Sequence, residues 1–139
     1  LASEFIEDGV IVKEEEADGS IIELEAEDIA RLEDYPVVIL VNEGSASASE
    51  ILAGAMRDNL GTKIVGQTTF GKGSVQDLEN LPQGTSLRIT VAKWRTTNGD
   101  QIDEVGITPD FEVEITDEDY DNDSDPQLDK AVQVLDSEL

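Results

Sequence analysis

Ser47 and Lys72 are the residues whose types and surroundings could support chemistry. Ser47 lies between an apolar run, Pro36-Val37-Val38-Ile39-Leu40-Val41, and a helix-forming stretch, Ile51–Leu60. A side chain at such a junction sits beside free helical N–H groups and their partial positive charge, which suit a developing oxyanion. The same place has a plainer use. Ser47-Ala48-Ser49-Glu50 also spells a capping box, in which Ser and Glu satisfy the first helical amides, and Ser45 and Ser49 compete for either role. Lys72 is one of five lysines and stands between glycines in Phe70-Gly71-Lys72-Gly73. A serine nucleophile needs a base. Lysine serves if burial brings its pKa from about 10.4 toward about 7–8, against the acidic field of this chain; otherwise it is a solvated loop lysine. Gln76, four residues on, shares a side with Lys72 in either an extended or a helical segment. Its amide oxygen could accept from the ammonium, or it is simply an exposed polar residue.

Composition narrows the remaining chemistry. The 139 residues contain no His and no Cys. A Ser-His-Asp triad, a Cys-His pair, imidazole metal ligands, zinc ribbons and disulfides are thereby excluded. The formal net charge is −24, unevenly spread. Residues 35–109 carry 8 acids and 6 bases, whereas the two flanks carry 25 acids and 3 bases. Acidic flanks of this kind are solvated faces and argue against nucleic acid or anionic membrane as a partner, because phosphate binding needs clustered Lys and Arg. Gly66–Gly73 nearly matches a phosphate-binding G-x-x-x-x-G-K-[ST] loop, but Gly73 stands where the hydroxyl belongs and no helical stripe follows. Asp117-x-Asp119-x-Asp121 imitates the start of a calcium loop, but Asn122 and Leu128 occupy the positions of its Gly and its bidentate Glu.

The elements that must position Ser47 and Lys72 follow from periodicity. Gly9–Lys13 predicts a strand, Asp18-Gly19-Ser20 a turn, and Ile21–Leu24 the returning arm of a hairpin. Glu27–Glu33 suits a short helical turn. The β-branched run 36–41 predicts a strand buried on both faces, as in a parallel sheet. With the helix 51–60, ended by Gly61, and the strand Lys63–Gly66, it makes a βαβ unit. Leu87–Trp94 alternates as a strand, Asn98-Gly99 signals a hairpin, and Val113–Ile115 is another strand candidate. Asp117–Asp125 reads as an acidic loop. Leu128, Ala131, Val132 and Leu135 form the apolar stripe of a terminal helix. No apolar stretch is long enough to span a bilayer. The chain opens as if in mid-domain, so an upstream segment carrying any targeting signal or anchor is expected.

Residues 41–51, Val-Asn-Glu-Gly-Ser-Ala-Ser-Ala-Ser-Glu-Ile, resemble the nucleophile segment of the carboxyl-terminal processing (tail-specific) serine proteases. Residues 66–76 resemble the catalytic-lysine segment of that family, and Gly106–Asp110 and Asp125–Ala131 its later segments, in the same order. Thr97-Asn98 stands where a Thr-Pro is common. The resemblance implies an α/β fold, a crotonase/Clp-protease-like spiral of βαβ units. Residues 1–139 would be the C-terminal portion of the catalytic domain, with an upstream catalytic segment and a PDZ domain absent. It implies Ser47 as nucleophile, Lys72 as general base and then acid, Gln76 orienting Lys72, and the Ala48 N–H as half of an oxyanion hole. The other half, a glycine, would lie upstream, which leaves open whether the fragment is active alone. Implied too are an acyl-enzyme mechanism without metal or cofactor, protein or peptide substrates with apolar C-termini, and an extracytoplasmic setting in a bacterial envelope or plastid lumen, with any membrane anchor upstream. A non-catalytic peptide-binding scaffold and a small-molecule acyl-transfer enzyme are the competing readings on the same fold. A fragment could also self-associate through core surface normally covered.

Overall fold

The computed structural model describes residues 1–139 and divides the chain between two sheets. Strands β1 (Val10–Glu16), β2 (Ile21–Glu25), β5 (Ser74–Asn80) and β6 (Ser86–Arg95) form an antiparallel sheet in the order β2-β1-β6-β5. Strands β3 (Val38–Val41), β4 (Lys63–Gly66) and β7 (Phe111–Glu112) form a parallel sheet in the order β3-β4-β7. Helix α1 (Ala48–Leu60) connects β3 to β4, the predicted βαβ unit. A short helix α2 (Asp117–Asp121) and the terminal helix α3 (Pro126–Glu138) follow β7.

Helices lie on both faces of the parallel sheet, but the strand buried on both faces is the central β4, not β3 as its apolar run predicts. β3 is an edge strand in which only Val41 is buried and Leu40 is 44% exposed. On one face Val41 and Ile64 pack with Ala53 of α1, Ile102 and Ile107, joined by Ile39 and Trp94. On the other, Val65 packs with Ala131 and Val134 of α3, joined by Val38 and Phe111. Ile64 and Val65 are fully buried, each contributing about 1.5–3 kcal/mol of transfer free energy. A third cluster, Ala2, Ile6, Ala55 and Met56, fastens the N-terminal segment to α1. The β3–β4 approach is close at Gly66. A Cβ there would lie 1.8 Å from the Val41 carbonyl oxygen, and its φ of +131° also suits only glycine.

Several expectations need correction. Helix α1 begins at Ala48, three residues before its apolar stripe, because Ser47 caps it. Residues 27–33 form no helical turn. Asp28 and Ala30 have positive φ, and the Ala30 and Leu32 N–H groups donate to Ser3 and Glu4 carbonyls. β5 had no strand signature of its own; pairing with β6 makes it one, the two being joined through Pro82-Gln83-Gly84. At Asn98-Gly99 the chain does turn, but only the Arg95–Gln101 bridge follows. The strand expected at 113–115 lies at Phe111–Glu112, with the Val113 N–H donating to Gly66. Acidic residues 117–121 form α2 because Thr116 caps it, exchanging bonds with Asp119, and carboxylates favour a helix's first turn. In α3 the buried stripe is Gln127, Ala131 and Val134, while Leu128 and Val132 are about half exposed. Gln127 turns inward because its amide donates to the Val113 carbonyl at 2.8 Å. No helix is long and apolar enough to cross a membrane.

Candidate active site

The chain leaves β3 at Val41 and makes a tight polar turn. Gly44 N–H donates to Asn42 Oδ1 and Ser45 N–H to the Asn42 carbonyl, both at 2.9 Å, while Asn42 N–H donates to Ser45 Oγ at 3.2 Å. The Ser45 hydroxyl is thus engaged in shaping the turn. Ser47 follows at the N-cap of α1 with φ 57° and ψ −115°. A residue with a side chain rarely adopts this conformation, and strained positions of this kind cluster at functional sites. It resembles a nucleophile elbow, where small neighbours let the chain turn sharply beneath an exposed hydroxyl; here the neighbours are Ser45, Ala46, Ala48 and Ser49. Ser47 and Glu50 form a capping box whose strong half belongs to Glu50: its Oε2 accepts the Ser47 N–H at 2.7 Å, whereas the Ser47 side chain faces the Glu50 N–H without a hydrogen bond of normal geometry. The Ala48 N–H, one of the unpaired donors at a helix start, has no acceptor within the chain.

Lys72 lies on the loop from β4 to β5. Phe70 N–H donates to the Ser45 carbonyl at 2.9 Å, fastening this loop to the Ser47 turn. The loop also lies against residues 102–107. Thr69 N–H donates to the Ile107 carbonyl, Ile107 N–H donates to Thr69 Oγ1, and Glu104 N–H donates to the Gly71 carbonyl. Gly73 is needed there, since a Cβ would lie 2.3 Å from the Asp103 nitrogen. No helix follows Lys72, so this is no phosphate-binding loop.

The residue that sequence reading treated only as a cap is central to the arrangement. Glu50 is fully buried. Its Oε1 accepts from Thr69 Oγ1 at 2.5 Å and Gly71 N–H at 2.6 Å. Its Oε2 accepts from both Ser47 N–H, at 2.7 Å, and Lys72 N–H, at 2.9 Å. The Ser47 and Lys72 nitrogens are therefore no farther apart than the sum of those two distances, about 5.6 Å. The one available signal was the Ser47-to-Glu50 spacing; Thr69 carried none.

Ser47 is half-buried, while Ala48, Lys72 and Gln76 are exposed. The burial that a lysine base requires is thus not supplied by these residues. Gln76 lies on β5 opposite Thr90, just past a shift in register, and no hydrogen bond joins it to Lys72. The nearby Lys93 is no rival base. Asp103 at 2.9 Å holds its ammonium above the ordinary lysine range by hydrogen bonding and charge, and Glu104 and Glu15 add to the effect. An apolar cleft of about 500 Å³ opens beside the start of α1, lined by Ala48, Ile51, Leu52, Trp94, Val12 and Leu24 among others.

The model of peptidase family S41 matches residues 1–113. This chain belongs to peptidase family S41. Several of its relatives are named as carboxyl-terminal processing proteases or peptidases. It is 54% identical over 77 residues to the chloroplastic carboxyl-terminal-processing peptidase 3 of Arabidopsis thaliana, covering 55% of this chain and 15% of that protein. To a probable CtpA-like serine protease of Staphylococcus haemolyticus it is 43% identical over 115 residues, covering 81% of this chain and 23% of that protein. Among solved structures, the photosystem II D1 C-terminal processing protease superposes with a TM-score of 0.76 at 35% identity, covering 81% of this chain and 29% of that one. The tricorn protease, with a TM-score of 0.62 at 20% identity, shares the α/β fold. This S41 chain spans less than a quarter of the length of these two curated relatives.

Proposed function

We propose that the protein carrying this S41 chain is a serine endopeptidase using a Ser47–Lys72 dyad. The observation that carries this reading is the forced backbone of Ser47 at the start of α1, beside the unpaired Ala48 N–H and with the Lys72 backbone close by. Lys72 takes the proton from Ser47 Oγ as that oxygen attacks the scissile carbonyl. The Ala48 N–H donates to the oxyanion that forms, and Lys72 returns the proton to the leaving amine. Water then releases the acyl group by the same route in reverse. Gln76 orients the Lys72 amine. Substrate lying across the exposed Lys72 supplies the shielding from water that a lysine base needs. The apolar cleft beside Ala48 suits substrates that are unstructured and apolar near their C-terminus.

No metal or cofactor takes part in this scheme. Residues 1–139 form the C-terminal portion of the catalytic domain, completed by a second oxyanion donor from elsewhere in the protein. Its site of action lies outside the cytoplasm in this reading, with which the chloroplastic location of one relative is compatible. The exposure of Lys72 favours the competing reading, a non-catalytic peptide-binding module on the same fold. Cleavage of an unfolded protein with an apolar C-terminus decides between them. Turnover by the full-length protein should persist with a chelator present and vanish in both Ser47→Ala and Lys72→Ala. Near-normal turnover by either variant would sink the dyad.

A further inference from the structure

We propose that Glu50 is the positioning residue of this site, one buried carboxylate that sets the nucleophile turn and the lysine loop at a fixed separation. The proposal rests on the Ser47–Lys72 reading above. Of the bonds Glu50's carboxylate accepts, a capping box accounts only for the one donated by the Ser47 N–H. Glu50 makes that bond and three more, all to residues 69–72. A helix cap has no use for those three; holding Lys72 beside Ser47 does.

The carboxylate is well suited to the task. It is fully buried, and none of the chain's ion pairs includes it. Such a charge is tolerated only where hydrogen bonds replace its water. Here all four partners are donors, two on each oxygen, and the start of α1 adds its partial positive charge. The grip on Ser47 falls on its backbone, which holds the strained φ and ψ in place, and neither carboxylate oxygen engages the hydroxyl. Thr69 extends the network, since the hydroxyl that donates to Glu50 accepts from Ile107 N–H at 2.7 Å.

Glu50→Gln tests this, because its NH₂ must face a backbone N–H whichever way the amide turns, that of Gly71 in one orientation and those of Ser47 and Lys72 in the other. The variant is made in the full-length protein beside Ser47→Ala and Glu50→Asp and assayed on an unfolded protein with an apolar C-terminus. The expected result for Glu50→Gln is a native circular dichroism spectrum, a KM within about threefold of wild type and a kcat lower by about 100-fold or more. Glu50→Asp, which keeps the charge, should recover part of kcat. Independently of any variant's folding, amide hydrogen exchange on the wild type should show Ser47 and Lys72 protected to the same degree, since one oxygen holds both. An unprotected Lys72 amide, or an unchanged kcat in folded Glu50→Gln while Ser47→Ala is inactive, overturns the positioning role alone. Turnover surviving in Ser47→Ala overturns the dyad as well.

Discussion

Both sheets carry large apolar side chains but bury them to very different degrees. In the parallel sheet Ile64 and Val65 are fully buried, because α1 covers one face and α3 the other. In the antiparallel sheet Ile22, Leu87 and Ile89 keep 43–50% of their surface exposed. Strand alternation alone does not decide burial; a covering layer does. The site lies where the two regions meet. Ser47 and Glu50 belong to the helix that packs on the parallel sheet, and Lys72 to the loop leading into the antiparallel one. Glu50 joins the start of that helix to that loop by hydrogen bonds.

Gly66→Ala should break the comparison most severely. Its methyl would overlap the Val41 carbonyl at a positive φ, and we expect a loss of about 3 kcal/mol or more in chemical denaturation. Stability close to wild type would mean that β3 and β4 are less tightly joined than described. Paired truncations sharpen the contrast. Ile64→Ala should cost about 2–5 kcal/mol, and Ile89→Ala, 43% exposed, under about 1 kcal/mol. Equal costs would show that the antiparallel sheet is covered in solution. The smallest effect concerns α2, between β7 and α3. Hydrogen bonds from Thr116 hold the Asp119 carboxyl below the usual aspartate range, with Ser124 assisting. A depressed carboxyl stabilises fully above its unfolded value and loses that contribution as pH falls through the folded one. Helical signal at acid pH should therefore fall slightly in wild type, and Asp119→Asn should flatten that part of the profile.

Much of the site was legible locally. The Ser47 junction and the glycines around Lys72 have meaning within a few residues, because caps and tight turns are local structures. The βαβ unit was legible because the run at 36–41 and the stripe of α1 are strong periodic signals. Glu50 was half legible, since its spacing from Ser47 announces a cap while its bonds to Thr69, Gly71 and Lys72 are 19 to 22 residues away in the chain. The α3 stripe was misread because Leu128 is more apolar than Gln127, yet only Gln127 has a carbonyl to meet inside.

The sequence by itself determined the chemical repertoire of these 139 residues: with no His and no Cys, the bases they offer a serine are lysine and carboxylate. It also determined the βαβ frame and where Ser47 falls on it. Only the tertiary structure decided that one carboxylate oxygen joins Ser47 to Lys72, that Lys72 remains exposed, and which strands are covered. The reason is physical. Periodicity and capping are settled between near neighbours, whereas burial and a shared hydrogen-bond acceptor exist only once distant segments have packed.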